Sequence, residues 1–225
     1  FIIPNTVNAI GYYAFAESGL TEVEIPGSVT DLGSGYNFSG CKDLQTALLP
    51  DSLTELPNAM FYQCSKLNYV KLPENLTTIP DLFFSGCSSL PTVDLPDTIM
   101  RVGTSAFENC STLKSVAIPD RVAEIGSGAF KSCNQLRTVI LPDGLTTIEA
   151  GTFWENRNED GGIESIVIPA SVKSIGNNNF IPIEKLKTIY FKGSITEWND
   201  IPWNLKSMFT GNIVYYYGTV SYTHL

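Results

Sequence analysis

Five cysteines stand at a fixed interval: Cys41, Cys64, Cys87, Cys110 and Cys133 lie 23 residues apart, each three residues after a phenylalanine. Thiols in this number raise three chemistries: nucleophilic catalysis, soft-metal binding and disulfide pairing. Catalysis by a thiol needs a base, and the one histidine, His224, falls in a tail (220–225) that fits no pattern in the chain and reads as non-native. Composition therefore argues against Ser-His-Asp and Cys-His arrangements and against a histidine-based metal site. Metal sites need close, convergent cysteine pairs, and pairwise disulfides leave one of the five over. The ordinary reading is a stacked column of buried free thiols acting as small hydrophobes. Inter-coil disulfides and a soft-metal ladder are the alternatives.

Carboxylates offer the next chemistry. Asp51, Glu74, Asp97, Asp120 and Asp143 each follow a proline, which is turn chemistry, and stacking sets them in a row rather than a pocket. A second polar cluster lies between Phe153 and Ile163. Asn156, Asn158, Asp160 and Gly161 echo the start of an EF-hand loop, and their oxygens suit calcium. The glutamate required at the twelfth position is Val167, however, and flanking helices are missing, so these are weak calcium candidates in a polar surface loop. No phosphate-cradling glycine motif occurs, and no cofactor is expected.

The elements that position these residues form a repeat. Pro4, Pro26, Pro50, Pro73, Pro96, Pro119, Pro142 and Pro169 each follow Ile or Leu at spacings of 22 to 27 residues. Eleven or twelve residues after each comes Phe15, Phe38, Phe61, Phe84, Phe107, Phe130, Phe153 or Phe180. A fixed period in the twenties means an array in which no unit buries its apolar face until a neighbour stacks on it. Within the unit, Leu-x-x-Val-x-Ile reads as a short strand that proline ends. Val-x-x-Ile-Gly supplies a second extended segment. Ala-Phe-x-x-Cys-x-x-Leu carries apolar residues at i, i+3 and i+6, which predicts one helical turn.

The unit at Leu113–Cys133 (Leu-x-x-Val-x-Ile-Pro-x-x-Val-x-x-Ile-Gly-x-x-Ala-Phe-x-x-Cys) closely resembles the BspA-like class of leucine-rich repeat, as does most of residues 1–192. The resemblance implies an α/β repeat solenoid: a right-handed superhelix of about nine 23-residue coils with a parallel concave sheet and short helical turns on the convex side. It also implies a bacterial surface or secreted protein, and a scaffold rather than a shared active site. Residues 193–225 are expected to cap the array, with Trp198, Trp203, Phe209 and Tyr215–Tyr217 covering the last exposed core. The incomplete first coil at Phe1 is expected to continue a longer protein.

A net charge of −9 excludes the basic face that nucleic acid requires and disfavours an anionic bilayer, and no apolar run reaches membrane-spanning length. The remaining expectation is a non-catalytic protein-interaction or adhesion module. Its alternatives are an architectural spacer in a larger surface protein and a glycan-binding module. The expected partner is a host or extracellular-matrix protein. Side chains alternate across a strand, so the residue between the repeat Val and Ile faces outward, giving the column Glu24, Leu48, Lys71, Asp94, Ala117, Ile140, Val167 and Tyr190. Its last four members run apolar to aromatic, and an exposed apolar strip marks a contact site. Ser115, Thr138, Ser165 and Thr188 form a hydroxyl margin beside Ala117, Ile140, Val167 and Tyr190.

Overall fold

A computed structural model of the chain describes residues 1–158, 161–180, 183, 185–204 and 211–215. The chain winds into a parallel β-solenoid of about eight turns. Its principal strand row contains β1 (Glu22–Glu24), β2 (Thr46–Leu48), β3 (Tyr69–Lys71), β7 (Thr138–Ile140), β11 (Ser165–Pro169), β13 (Thr188–Lys192) and β14 (Asn212–Tyr215). These strands pair in parallel with corresponding repeat positions opposite each other, for example Val23 on Ala47 on Val70. The central residue of each three-residue strand is buried because the pleat turns it inward.

A second row comprises β4 (Thr78–Ile79), β5 (Arg101–Val102), β6 (Glu124–Ile125), β8 (Thr147–Ile148) and β12 (Ser174–Ile175), paired as β4-β5-β6 and β8-β12. Here the repeat glycine does more than end a segment. A Cβ on Gly126 would meet the Thr104 amide nitrogen at 2.5 Å, and one on Gly176 the Ala150 nitrogen at 2.6 Å. Adjacent turns touch backbone to backbone at this slot.

The expected helical turn around each phenylalanine does not form. Residues two before and two after the ring lie in the left-handed region, including Leu82 (φ 58°), Gly86 (82°), Ser105 (52°), Asn109 (61°) and Gly128 (66°). Left-handed residues break a helix, and they turn the amides outward to the next coil instead. Phe61 N–H thus donates to Phe83 O (3.1 Å), Phe84 to Ala106 (2.8 Å), Phe107 to Ala129 (2.8 Å) and Phe130 to Thr152 (2.9 Å). The phenylalanines make a third bonded row, and their rings stack 5.3–6.2 Å apart from Phe15 through Phe180 apart from a doubled position at Phe83–Phe84.

All five cysteines are free and buried. Each thiol donates to the carbonyl of the preceding turn's phenylalanine, from Cys41 to Phe15 (3.0 Å) through Cys133 to Phe107 (3.1 Å). Asn156 occupies the next such slot, and its amide donates to Phe130 O at 2.9 Å. Burial pushes the pKa values of Cys64, Cys87, Cys110 and Cys133 up, which keeps these thiols protonated and able to donate.

The array ends differently from the expected ninth coil. After β13 the second segment is replaced by α1 (Ile195–Asp200), because Ser194 closes a capping box: its Oγ accepts from Glu197 N–H (3.1 Å) while Glu197 Oε2 accepts from Ser194 N–H (2.8 Å). Trp198 on α1 and Trp203 after it are buried against Phe191 and Phe180. Phe209, Tyr216, Tyr217 and residues 220–225 lie outside the described residues.

Candidate interaction face

The outward side of the principal row is where the sequence places a contact surface. In β7, β11, β13 and β14, residues Ile140, Val167, Tyr190 and Val214 stand in register, so the apolar column continues one strand further than the repeat pattern indicated. Ile140 is 42% exposed, Ala117 is exposed and Tyr190 is half-buried. Val167 is not surface. It is fully buried between its cross-strand neighbours Ile140 and Tyr190, which corrects the expectation that every member of the column faces outward.

The hydroxyl margin is also assembled. Thr138, Ser165, Thr188 and Asn212 align in register, with Thr138 Oγ1 3.4 Å from Ser165 Oγ. Ser115 is exposed but lies in a segment that joins no strand. Ion pairs frame the face. Arg137 meets Glu164 at 3.0 Å on one side. On the other, Lys192 passes over the intervening turn, where Pro169 is buried, to reach Asp143 at 2.7 Å. The acidic column after the prolines is therefore partly consumed: Asp51 also pairs with Lys71 at 3.2 Å.

The calcium candidates do not converge. Asn156 is a core side chain whose amide bonds Phe130 O and Phe153 O. Asn158 sits in β9 (Arg157–Asn158), which pairs antiparallel with β10 (Gly161–Gly162), so the polar insertion is a hairpin rather than a metal loop. Asp160 lies outside the described residues. Among the described residues no group of three or more His, Cys, Asp or Glu side chains could hold a metal ion, and no helix is long and apolar enough to cross a membrane.

Two surfaces escaped the sequence reading. A groove of about 740 Å³ runs over the first turns, lined by Ile2, Asn5, Glu22, Glu24, Leu48 and Lys71. On another side, exposed Tyr12 and Tyr13 meet Tyr36, with the Tyr13 and Tyr36 rings stacked at 5.1 Å. The 23-residue spacing from Tyr13 to Tyr36 was the available signal for the second.

Similar proteins share this architecture. The BspA type leucine rich repeat region matches in six copies, over residues 1–114 and 102–204. A leucine-rich repeat protein from Bacteroides ovatus superposes with a TM-score of 0.66 at 28% identity, covering 76% of this chain and 48% of that one. The chain thus spans about half the length of that structure. The T. pallidum leucine rich repeat protein gives 0.61 at 25% identity, covering 92% of this chain and 91% of that one. A leucine rich cell surface protein from Faecalibacterium prausnitzii gives 0.60 at 27%, covering 88% and 54%. No curated protein matches the chain.

Proposed function

The chain belongs to the BspA-type leucine-rich repeat family, and from that premise we propose that it is a non-catalytic protein-interaction module of a bacterial surface or secreted protein. The contact surface is the outward face of the principal strand row, the side that a right-handed superhelix of this class makes concave. Ala117, Ile140 and Tyr190 make the apolar contact over the buried floor of Val167, with Thr138, Ser165 and Thr188 as a polar margin and Ser115 at its edge. Residues 193–225 serve as the cap, since Trp198 and Trp203 cover the last core rings. The family is a repeat scaffold whose members commonly serve in protein interaction, and one similar structure is described as a cell surface protein.

The observation that carries the reading is Ile140. A β-branched side chain 42% exposed on β7, the edge strand of an ion-pair-framed sheet, adds little to the core. The test is Ile140→Asp combined with Tyr190→Ala, measured for binding to immobilised extracellular-matrix proteins. Binding should fall at least tenfold, roughly 1.4 kcal/mol, with little change in melting temperature. Undiminished binding removes this face and moves attention to the hairpin at 156–162. Retention on glycans but not on proteins would favour a glycan-binding module, and no binding to either would favour a spacer.

A further inference from the structure

The principal row is not continuous. Residues 91–95 and 114–118 form no strand, so the row divides into β1-β2-β3 and the later sheet of β7, β11, β13 and β14. The rung that Ile25 N–H makes to Leu48 O, Leu49 to Lys71 and Leu141 to Val167, each at 3.0 Å, has no counterpart from Leu72, Leu95 or Ile118 among the described residues. Packing follows the bonding in part. Leu95, Val116 and Ile118 are only partly buried, whereas Val23, Ala47, Leu49, Val139 and Leu141 in the same slots are buried; Val93 and Leu72 keep their burial, so the inner side of these segments stays on the core.

Pro91 supplies a cause. At its position in neighbouring turns, Gln45, Asn68, Lys114 and Glu164 donate their amide to the turn before, at 2.8–3.0 Å. Proline has no amide hydrogen, so the rung onto Asn68 cannot form. The other rows stay closed across the same turns. Met100 N–H bonds Thr77 O (2.8 Å), Ala123 bonds Met100 (3.0 Å), and the phenylalanine row is bonded throughout.

We propose that the solenoid is hinged at its middle: the strand face opens and closes at segments 92–95 and 115–118, about the phenylalanine row as the fixed edge. Hinges take up motion where few bonds and contacts resist it. The device sits between the polar groove at Glu22, Glu24 and Lys71 and the apolar face at Ile140 and Tyr190, so it sets the angle between them. It stands independently of the binding role.

Amide hydrogen exchange of the full chain, read residue by residue, tests it. Amides of 92–95 and 115–118 should exchange at least about tenfold faster than those of 23–25, 47–49 and 139–141, while Phe84, Phe107 and Phe130 stay slow. Equal protection across the strand row would overturn the hinge, as would exchange of the phenylalanine amides together with the open segments. Pro91→Asn restores the donor with a residue already used at this position by Asn68. It should slow exchange at 92–95 several-fold, and unchanged exchange would overturn the role given to Pro91.

Discussion

Gly126→Ala is the sharpest test of how these turns pack. The added methyl would stand 2.5 Å from the Thr104 nitrogen, 2.7 Å from the Gly103 carbonyl carbon and 2.8 Å from the Thr104 Cα. These are backbone atoms and cannot rotate away, so β6 must lift from β5. Overpacking of this kind costs about 1–3 kcal/mol. Lifting also loosens two rungs, Gly126 N–H to Val102 O (2.9 Å) and Ala123 N–H to Met100 O (3.0 Å), each contributing about 1 kcal/mol. The loss should therefore reach about 3–5 kcal/mol, or about 10 °C in melting temperature for a chain of this size. The strand row is already open at this turn and offers no compensation. Gly27→Ala is the control: nothing lies within 4 Å of its added methyl, and stability should stay within about 0.5 kcal/mol. Urea denaturation of both variants decides the matter. Equal stability would refute the close approach of adjacent turns at the glycine slot.

Two further outcomes concern the thiol column. Cys110→Ala removes the donor to Phe84 O (3.2 Å) and leaves a void, and it should cost about 1–3 kcal/mol; Cys110→Ser keeps a donor and should cost less. Alanine tolerated as well as serine would show that the sulfur only fills space. For pH, burial raises the folded values of Cys64, Cys87, Cys110 and Cys133 above the ordinary 9.0. A raised value means that their contribution is complete below about pH 9 and is lost as pH climbs toward the folded values. Melting temperature should fall above that point, less steeply in Cys110→Ser, and thiol labelling of native protein should be slow until it unfolds. A parallel decline in both proteins would separate the thiols from the alkaline transition.

Much of this molecule is written in one dimension. The proline and phenylalanine ladders fix the period, and a fixed period forces equivalent residues into columns whatever the details of the turn. Burial of the cysteines and phenylalanines therefore follows from spacing alone. So does the outward alternation of Ile140 and Tyr190, because a strand has a period of two. What spacing could not show depends on neighbours one turn away. The i, i+3, i+6 pattern around phenylalanine is equally compatible with a helical turn and with paired left-handed turns. Hydrogen bonding to the adjacent coil selects the second. Gly126 reads as a stop signal until the Thr104 backbone stands where its side chain would be. Val167 shares its strand position with Ile140, yet with a paired strand on each side it is wholly out of solvent while Ile140, on the edge strand, is not. Asn156 looks like a cation ligand beside Asn158 and Asp160, and becomes a core donor because it falls in the cysteine slot opposite Phe130 O. Pro91 is one missing hydrogen in the sequence; the loss of three consecutive rungs around it exists only where three turns stack.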